Sequence, residues 1–141
     1  MIDIFQPRNT LPMIFQTEIA ECGLACLAMV ANYYGKYSDI RTLRETRCMP
    51  AGGASVKHLQ QAGLQLDLQA RPLKLDLNDI GLLALPIILH WDTDHFVVLK
   101  KITRKSFVIH DPAMGIRKYS LAELDHHFTG IAIELSPTIS F

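Results

Sequence analysis

From Cys22 to Tyr34 nearly every residue is apolar or small, and only Asn32 breaks the run. A helix of that composition has no polar face to turn toward water, so it must lie at the centre of the fold. It stops at Gly35, a residue suited to the left-handed position after a helix C-terminus. Upstream, Gln16-Thr17-Glu18-Ile19-Ala20-Glu21 reads as a loop that runs into the helix. Cys22 is then expected at or near the helix N-terminus, where free N–H groups and the dipole favour an anion. A thiolate is such an anion, which makes Cys22 a candidate nucleophile. Its other reading is a small buried hydrophobe. Gln16 lies where a side-chain amide can reach an oxyanion forming beside the sulfur.

Around that helix the pattern divides in two. Residues 1–15, with Pro7 and Pro12, read as an extended lead-in. Ser38 or Asp39 is placed to cap a second helix, about 39–46, with Ile40, Leu43 and Arg44 at helical spacing. Pro50-Ala51-Gly52-Gly53-Ala54 reads as a loop, and Ser55 as the cap of a third helix, Val56 to Ala62, ended by Gly63. After Gly63 the period becomes two: Leu64, Leu66, Leu68 and Ala70 alternate with polar residues, as in a half-buried strand. Asp76 can cap a short turn of helix. Strands are expected at Pro86–Trp91, His95–Ile102, Ser106–His110, Ile116–Tyr119 and Gly130–Leu135. Ser120-Leu121-Ala122-Glu123 is a capping box, opening a helix to about His127. Helices first and tightly connected strands afterwards give an α+β fold with an antiparallel sheet.

Composition excludes several function classes. The chain has 141 residues, a single domain's worth, and is 49% hydrophobic. Lys+Arg and Asp+Glu are 14 each, so nucleic acid is not expected as the main partner, and no basic run suggests a membrane surface. The N-terminus lacks the cationic flank and long apolar core of a signal peptide. The apolar run Leu82–Leu89 is too short to span a bilayer and contains Pro86. Three cysteines, at 22, 26 and 48, form no disulfide framework and fit a reducing compartment.

A nucleophilic Cys needs a base, and the base needs an orienting group. Of the six histidines, His126, His127 and His58 lie on helices at expected surface positions. His90 and His110 lie inside strands. His95 follows a turn, begins a strand and has the acids Asp92 and Asp94 beside it, the kind of place where sites are built. A hairpin turning near Thr103 sets His95 opposite roughly residues 111 to 113. Asp111 falls in that window, where a directly opposed carboxylate could fix the His95 tautomer. Asp-Pro is also ordinary turn chemistry, and an Asx-turn is the other reading of Asp111. Cys26, one helical turn beyond Cys22, reads as a packing residue. A Cys22–Cys26–His metal site competes with that, but lacks enough well-spaced ligands, and no metal is expected. Glu21 reads as structural, bonded to backbone near the helix start.

Three blocks carry a resemblance. Gln16-x₄-Glu21-Cys22-Gly23-x-Ala25-Cys26-Leu27-x-Met29, His95-Phe96-Val97-Val98-Leu99 and His110-Asp111-Pro112-Ala113-x-Gly115 resemble the N-terminal peptidase domain of bacteriocin-exporting ABC transporters of the colicin V type. The likeness spans about residues 10 to 136. It implies a papain-like cysteine peptidase fold, with N-terminal helices packed on a C-terminal antiparallel sheet. It implies cleavage after a double-glycine leader, with Cys22 as nucleophile, His95 as general base and acid, Asp111 orienting His95, and Gln16 as oxyanion-hole donor. It implies no cofactor for the peptidase, ATP being used by the ATPase domain of the full exporter. The implied partners are the leader of a bacteriocin or microcin precursor, bound as an amphipathic helix, and the transmembrane and ATPase domains of the same exporter. The implied location is the cytoplasmic side of the bacterial inner membrane. The family's usual continuation is missing, so residues 1–141 read as one peptidase domain excised from a longer transporter, or as a stand-alone peptidase. A leader-docking module without catalysis, a transglutaminase-like acyltransferase and a thiol-redox protein are the alternatives, the last weakened by the absence of C-x-x-C.

Overall fold

A computed structural model of the protein describes residues 10–44 and 55–138. Cys48, the expected loop at 50–54 and the first part of the lead-in lie outside them. Helix α1 covers Cys22–Tyr33, and its residues from Cys22 to Ala31 are all buried. It closes as its sequence requires. Gly35 takes φ +95°, and the N–H groups of Gly35 and Lys36 donate to the carbonyls of Asn32 (3.0 Å) and Ala31 (2.9 Å). Those two bonds satisfy carbonyls the helix leaves open, and a side chain at Gly35 would strain the turn that makes them.

Helix α2 spans Ile40–Arg44, with Ile40 and Leu43 buried. Helix α3 spans Val56–Gln65 and is capped by Ser55, whose hydroxyl accepts from the His58 N–H. This corrects the expected end at Gly63. Gly63 lies inside the helix because α3 presses against the first strand: a Cβ there would come 3.2 Å from the Leu68 carbonyl oxygen. The turn out of the helix falls instead at Asp67, with φ 59°. Leu64 and Leu66, read as strand, therefore belong to the helix end, and Leu64 is 58% exposed.

The six strands are β1 (Leu68–Lys74), β2 (Ile87–Trp91), β3 (His95–Ile102), β4 (Phe107–Asp111), β5 (Gly115–Tyr119) and β6 (Phe128–Pro137). Helix α4 (Leu121–Asp125) opens with the expected capping box. Every pairing is antiparallel, in the order β1-β6-β2-β3-β4-β5. The last strand thus enters between β1 and β2, which sequence adjacency does not indicate. One face of the sheet packs Ile88, Phe96, Val98, Ile133 and Leu135 against α1. The other packs Ile87, Leu89, Trp91, Val97, Leu99 and Ile109 with Ile80 and Leu124. Central strands buried on both faces explain why Ile87-Ile88-Leu89 reads as an unbroken apolar run.

Candidate active site

A 3-10 turn, Ile19–Glu21, delivers the chain into α1. The Glu21 carboxylate folds back over it: Oε1 accepts from the Thr17 N–H (3.2 Å), the Thr17 hydroxyl (2.6 Å) and the Glu18 N–H (3.1 Å). Glu21 is 5% exposed, so these donors satisfy a charge that burial would otherwise make costly. The structural reading of Glu21 holds. Cys22 follows as the first residue of α1, itself 5% exposed.

His95 opens β3 and Asp111 closes β4. His95 Nε2–H donates to Asp111 Oδ1 at 2.7 Å, and the Cys22 side chain also acts on the ring, favouring its charged form. With Nε2 committed to the carboxylate, Nδ1 is the nitrogen left for the sulfur. Burial pulls the His95 pKa down, but Asp111 and Cys22 outweigh it and push it up to about 10. Burial acts on Asp111 in the direction of protonation. The bonds from His95 and from the Ala113 N–H prevail and hold its carboxyl below the usual range. The ring is therefore protonated at neutral pH, with the Asp111 carboxylate as its acceptor.

The expected direct opposition of His95 and Asp111 is corrected to a diagonal one. Leu99 pairs with Ile109 but Lys101 with Val108, so Lys100 is an extra residue, a bulge. Continued regularly from the turn, the pairing would set Asp111 across from Val98, on the face opposite to His95. The bulge restores the parity. Val98 pairs with His110, which places His95 and Asp111 on one face, two residues out of direct register. Diagonal neighbours are still within reach of a long planar side chain. The turn reading of Asp111 also holds: the same Oδ1 accepts from the Ala113 N–H at 2.9 Å. One carboxylate oxygen thus fixes its own turn and the imidazole together.

Gln16 joins the site from the lead-in. Its backbone N–H donates to the Pro112 carbonyl (3.0 Å), and its side-chain Nε2 donates to the Glu18 carbonyl at 3.2 Å. A primary amide can donate two hydrogen bonds, the kind of donor an oxyanion requires. Two bonds fasten the lead-in that carries Gln16 to β4 and the turn after it. The second is His110 Nδ1–H to the Pro12 carbonyl at 2.9 Å. Gln16, Asp92, Asp94, His95, Asp111, Ala113 and Met114 line an open cleft of about 270 Å³. Sequence reasoning placed the two acids beside His95 but missed Ala113 and Met114, which sit inside the Asp-Pro turn it had recognised. Cys26 is fully buried, and burial first, then the charges of Cys22 and Asp111, push its thiol well up. Such a thiol is inert, a packing residue. Among the described residues no three His, Cys, Asp or Glu side chains gather to hold a metal.

The family model for the peptidase C39 family matches residues 10–140. This chain belongs to the peptidase C39 family. It is 45% identical over 134 residues, 95% of its length, to the probable microcin-H47 secretion/processing ATP-binding protein of Escherichia coli. The colicin V secretion/processing ATP-binding protein of the same organism matches at the same identity and coverage. The chain spans 19% of the length of each of these curated relatives. Its fold superposes, with TM-score 0.86 and 34% identity, on a double-glycine-motif protease from an AMS/PCAT transporter in complex with the leader peptide. That match covers 96% of this chain and 97% of the other. The peptidase domain of Streptococcus ComA matches with TM-score 0.83 and 28% identity, over 92% of this chain and all of that one. The expected α+β, papain-like arrangement is the one these peptidase C39 structures share. Among the described residues no helix is long and apolar enough to cross a membrane.

Proposed function

We propose that this chain is a cysteine endopeptidase that removes the leader of a bacteriocin- or microcin-type precursor by cutting after a Gly-Gly pair, in step with export by an ABC transporter. The observation that carries the reading is the His95 ring, bonded to Asp111 and electrostatically coupled to Cys22. An imidazolium held against a sulfur supports negative charge there, which is what a thiol nucleophile requires. The Cys22 sulfur attacks the carbonyl carbon of the second glycine. The Gln16 amide and the Cys22 backbone N–H receive the oxyanion. His95 gives its proton to the departing amine as the C–N bond breaks, leaving the leader as a thioester on Cys22. His95 then takes a proton from water, whose oxygen attacks the thioester, and the C–S bond breaks to release the leader carboxylate.

No cofactor enters these steps. ATP belongs to the ATPase part of the exporter, which together with its transmembrane part is the proposed partner. The leader docks as an amphipathic helix, and the peptidase works at the cytoplasmic side of the inner membrane. Support for leader and exporter comes from the leader-bound protease and from the secretion/processing relatives. A synthetic leader peptide with a Gly-Gly site tests the reading. The wild type should cut it once, after the second glycine, and stop on treatment with a thiol alkylator. Cys22→Ala should bind it without cutting. Cleavage by Cys22→Ala would overturn the assignment. Binding without cleavage by the wild type would leave a docking module, and transfer of the leader to an added amine would make the enzyme an acyltransferase.

A further inference from the structure

The turn between β2 and β3 holds Asp92 at φ 51° and Thr93 at φ 69°. Both lie in the left-handed region, and for a β-branched residue such as Thr93 that is a true outlier. Such backbone persists only where its surroundings impose it, and it gathers at functional sites. This turn delivers His95, and its two acids line the cleft. The surroundings that impose it converge on His127. Asp92 N–H donates to the His127 carbonyl at 2.9 Å, and His127 Nδ1–H donates to Asp92 Oδ1 at 2.7 Å. The His127 ring also stacks on Trp91, with centroids 4.8 Å apart and planes 4° from parallel. Trp91 is the cross-strand partner of His95. His127 therefore grips the residue before the strained turn and the first residue within it. Nothing in the reaction as proposed uses it.

We infer that His127 is a positioning residue, which braces the strained β2–β3 turn through Asp92 and Trp91 and so sets the pose of His95 against Cys22. The inference rests on the cysteine-peptidase reading. Loss of the brace lets the turn relax and misplaces His95, and small misplacements cost large factors in rate. His127→Ala should lower kcat on a Gly-Gly leader peptide about 10- to 100-fold with KM within about twofold. It should also change the pH profile of Cys22 alkylation by iodoacetamide, a readout that needs no cleavage. His127→Asn, which can still donate to Asp92, should recover part of the loss. Thr93→Gly in the His127→Ala background should recover more, because glycine accepts positive φ without a brace. Should His127→Ala fail to fold, His127→Phe, which keeps the stack and loses the bond, carries the same comparison. A His127→Ala enzyme with kcat within twofold of wild type and an unchanged alkylation profile overturns the inference. So does a loss that Thr93→Gly leaves untouched. A wild type that binds but never cuts the leader, while its alkylation profile still shifts in His127→Ala, refutes the peptidase reading and leaves the brace standing.

Discussion

His95 Nε2 and Asp111 Oδ1 lie 2.7 Å apart although the two residues stand two positions out of direct cross-strand register. The carboxylate spans the diagonal because its own turn, through Ala113 N–H, aims it there. Asp111→Asn keeps an oxygen for both bonds and loses the charge. Asp111→Ala loses everything. Leader cleavage should fall about tenfold for the amide and about 10²–10³-fold for alanine. Steady-state rates on a Gly-Gly peptide decide this, and equal losses would mean that the charge alone matters.

The same pair makes stability depend on pH. The His95 pKa is raised from 6.5 to about 10, so its contribution is complete below 6.5 and is lost as pH rises through 10. That of Asp111 is lowered, so its contribution is present above 3.8 and is lost as pH falls through the folded value. Both shifts express one interaction and count once. The gap in Tm between the wild type and Asp111→Asn should be widest between these limits, close toward pH 10, and close again in acid. Thermal scans across pH check it, and a gap independent of pH would refute the linkage.

The helix, and the meeting of His95 with Asp111 beside Cys22, were legible in the sequence for a physical reason. An all-round apolar helix ending at Gly35 has only one place to go, and a Cys at its start is exposed to the helix terminus whatever surrounds it. His95 could be chosen over the other histidines because a strand that begins after an acidic turn is placed by local chemistry. What could not be read depends on contacts between distant segments. Gly63 looked like a helix stop because its close approach to Leu68 is invisible along the chain. The place of β6 between β1 and β2 is a long-range pairing with no local signal. The Lys100 bulge leaves only a faint trace, two exposed residues in succession at Lys100 and Lys101. Met114 entered the cleft through a turn whose residues had been read for their backbone alone.

Glu21 is predicted to matter for stability more than for chemistry. Its Oε1 receives three donors at the entry to α1, and truncation to alanine leaves them without that acceptor. Part-buried donors that lose a charged partner cost about 1–3 kcal/mol. Glu21→Ala should lower Tm by about 3–9 °C. Glu21→Gln, which keeps one oxygen, should lose less. An unchanged Tm for Glu21→Ala would show that water replaces the carboxylate at no cost.

As the proposed oxyanion donor, Gln16 should act on the transition state more than on the fold. Its backbone N–H holds Pro112 whatever the side chain is. Gln16→Ala gives up the exposed bond to the Glu18 carbonyl and should lose little in Tm while losing about 10²–10³ in kcat, the ~2.7–4 kcal/mol typical of one oxyanion donor. KM should stay put, since the bond forms only as the carbonyl oxygen takes up charge. A rise in KM with kcat unchanged would reassign Gln16 to leader binding.

The bulge gives the least intuitive expectation. Lys100 is the residue that Leu99↔Ile109 and Lys101↔Val108 leave without a counterpart. Removing it brings Leu99 next to Lys101, opposite Ile109 and Val108, which are already adjacent. Both pairings survive, and so does the parity that sets His95 and Asp111 on one face. The core residues Val97, Val98, Leu99 and Ile109 keep their places, and a buried face specifies register strongly. Deleting Lys100 should thus leave leader cleavage within a few-fold of wild type, whereas a deletion inside a strand ordinarily turns a whole side-chain set to the wrong face. The cleavage rate and the His95 titration of the deletion variant, followed by NMR, decide the matter. Loss of the raised His95 pKa would mean that the bulge aims the ring by local twist as well as by parity.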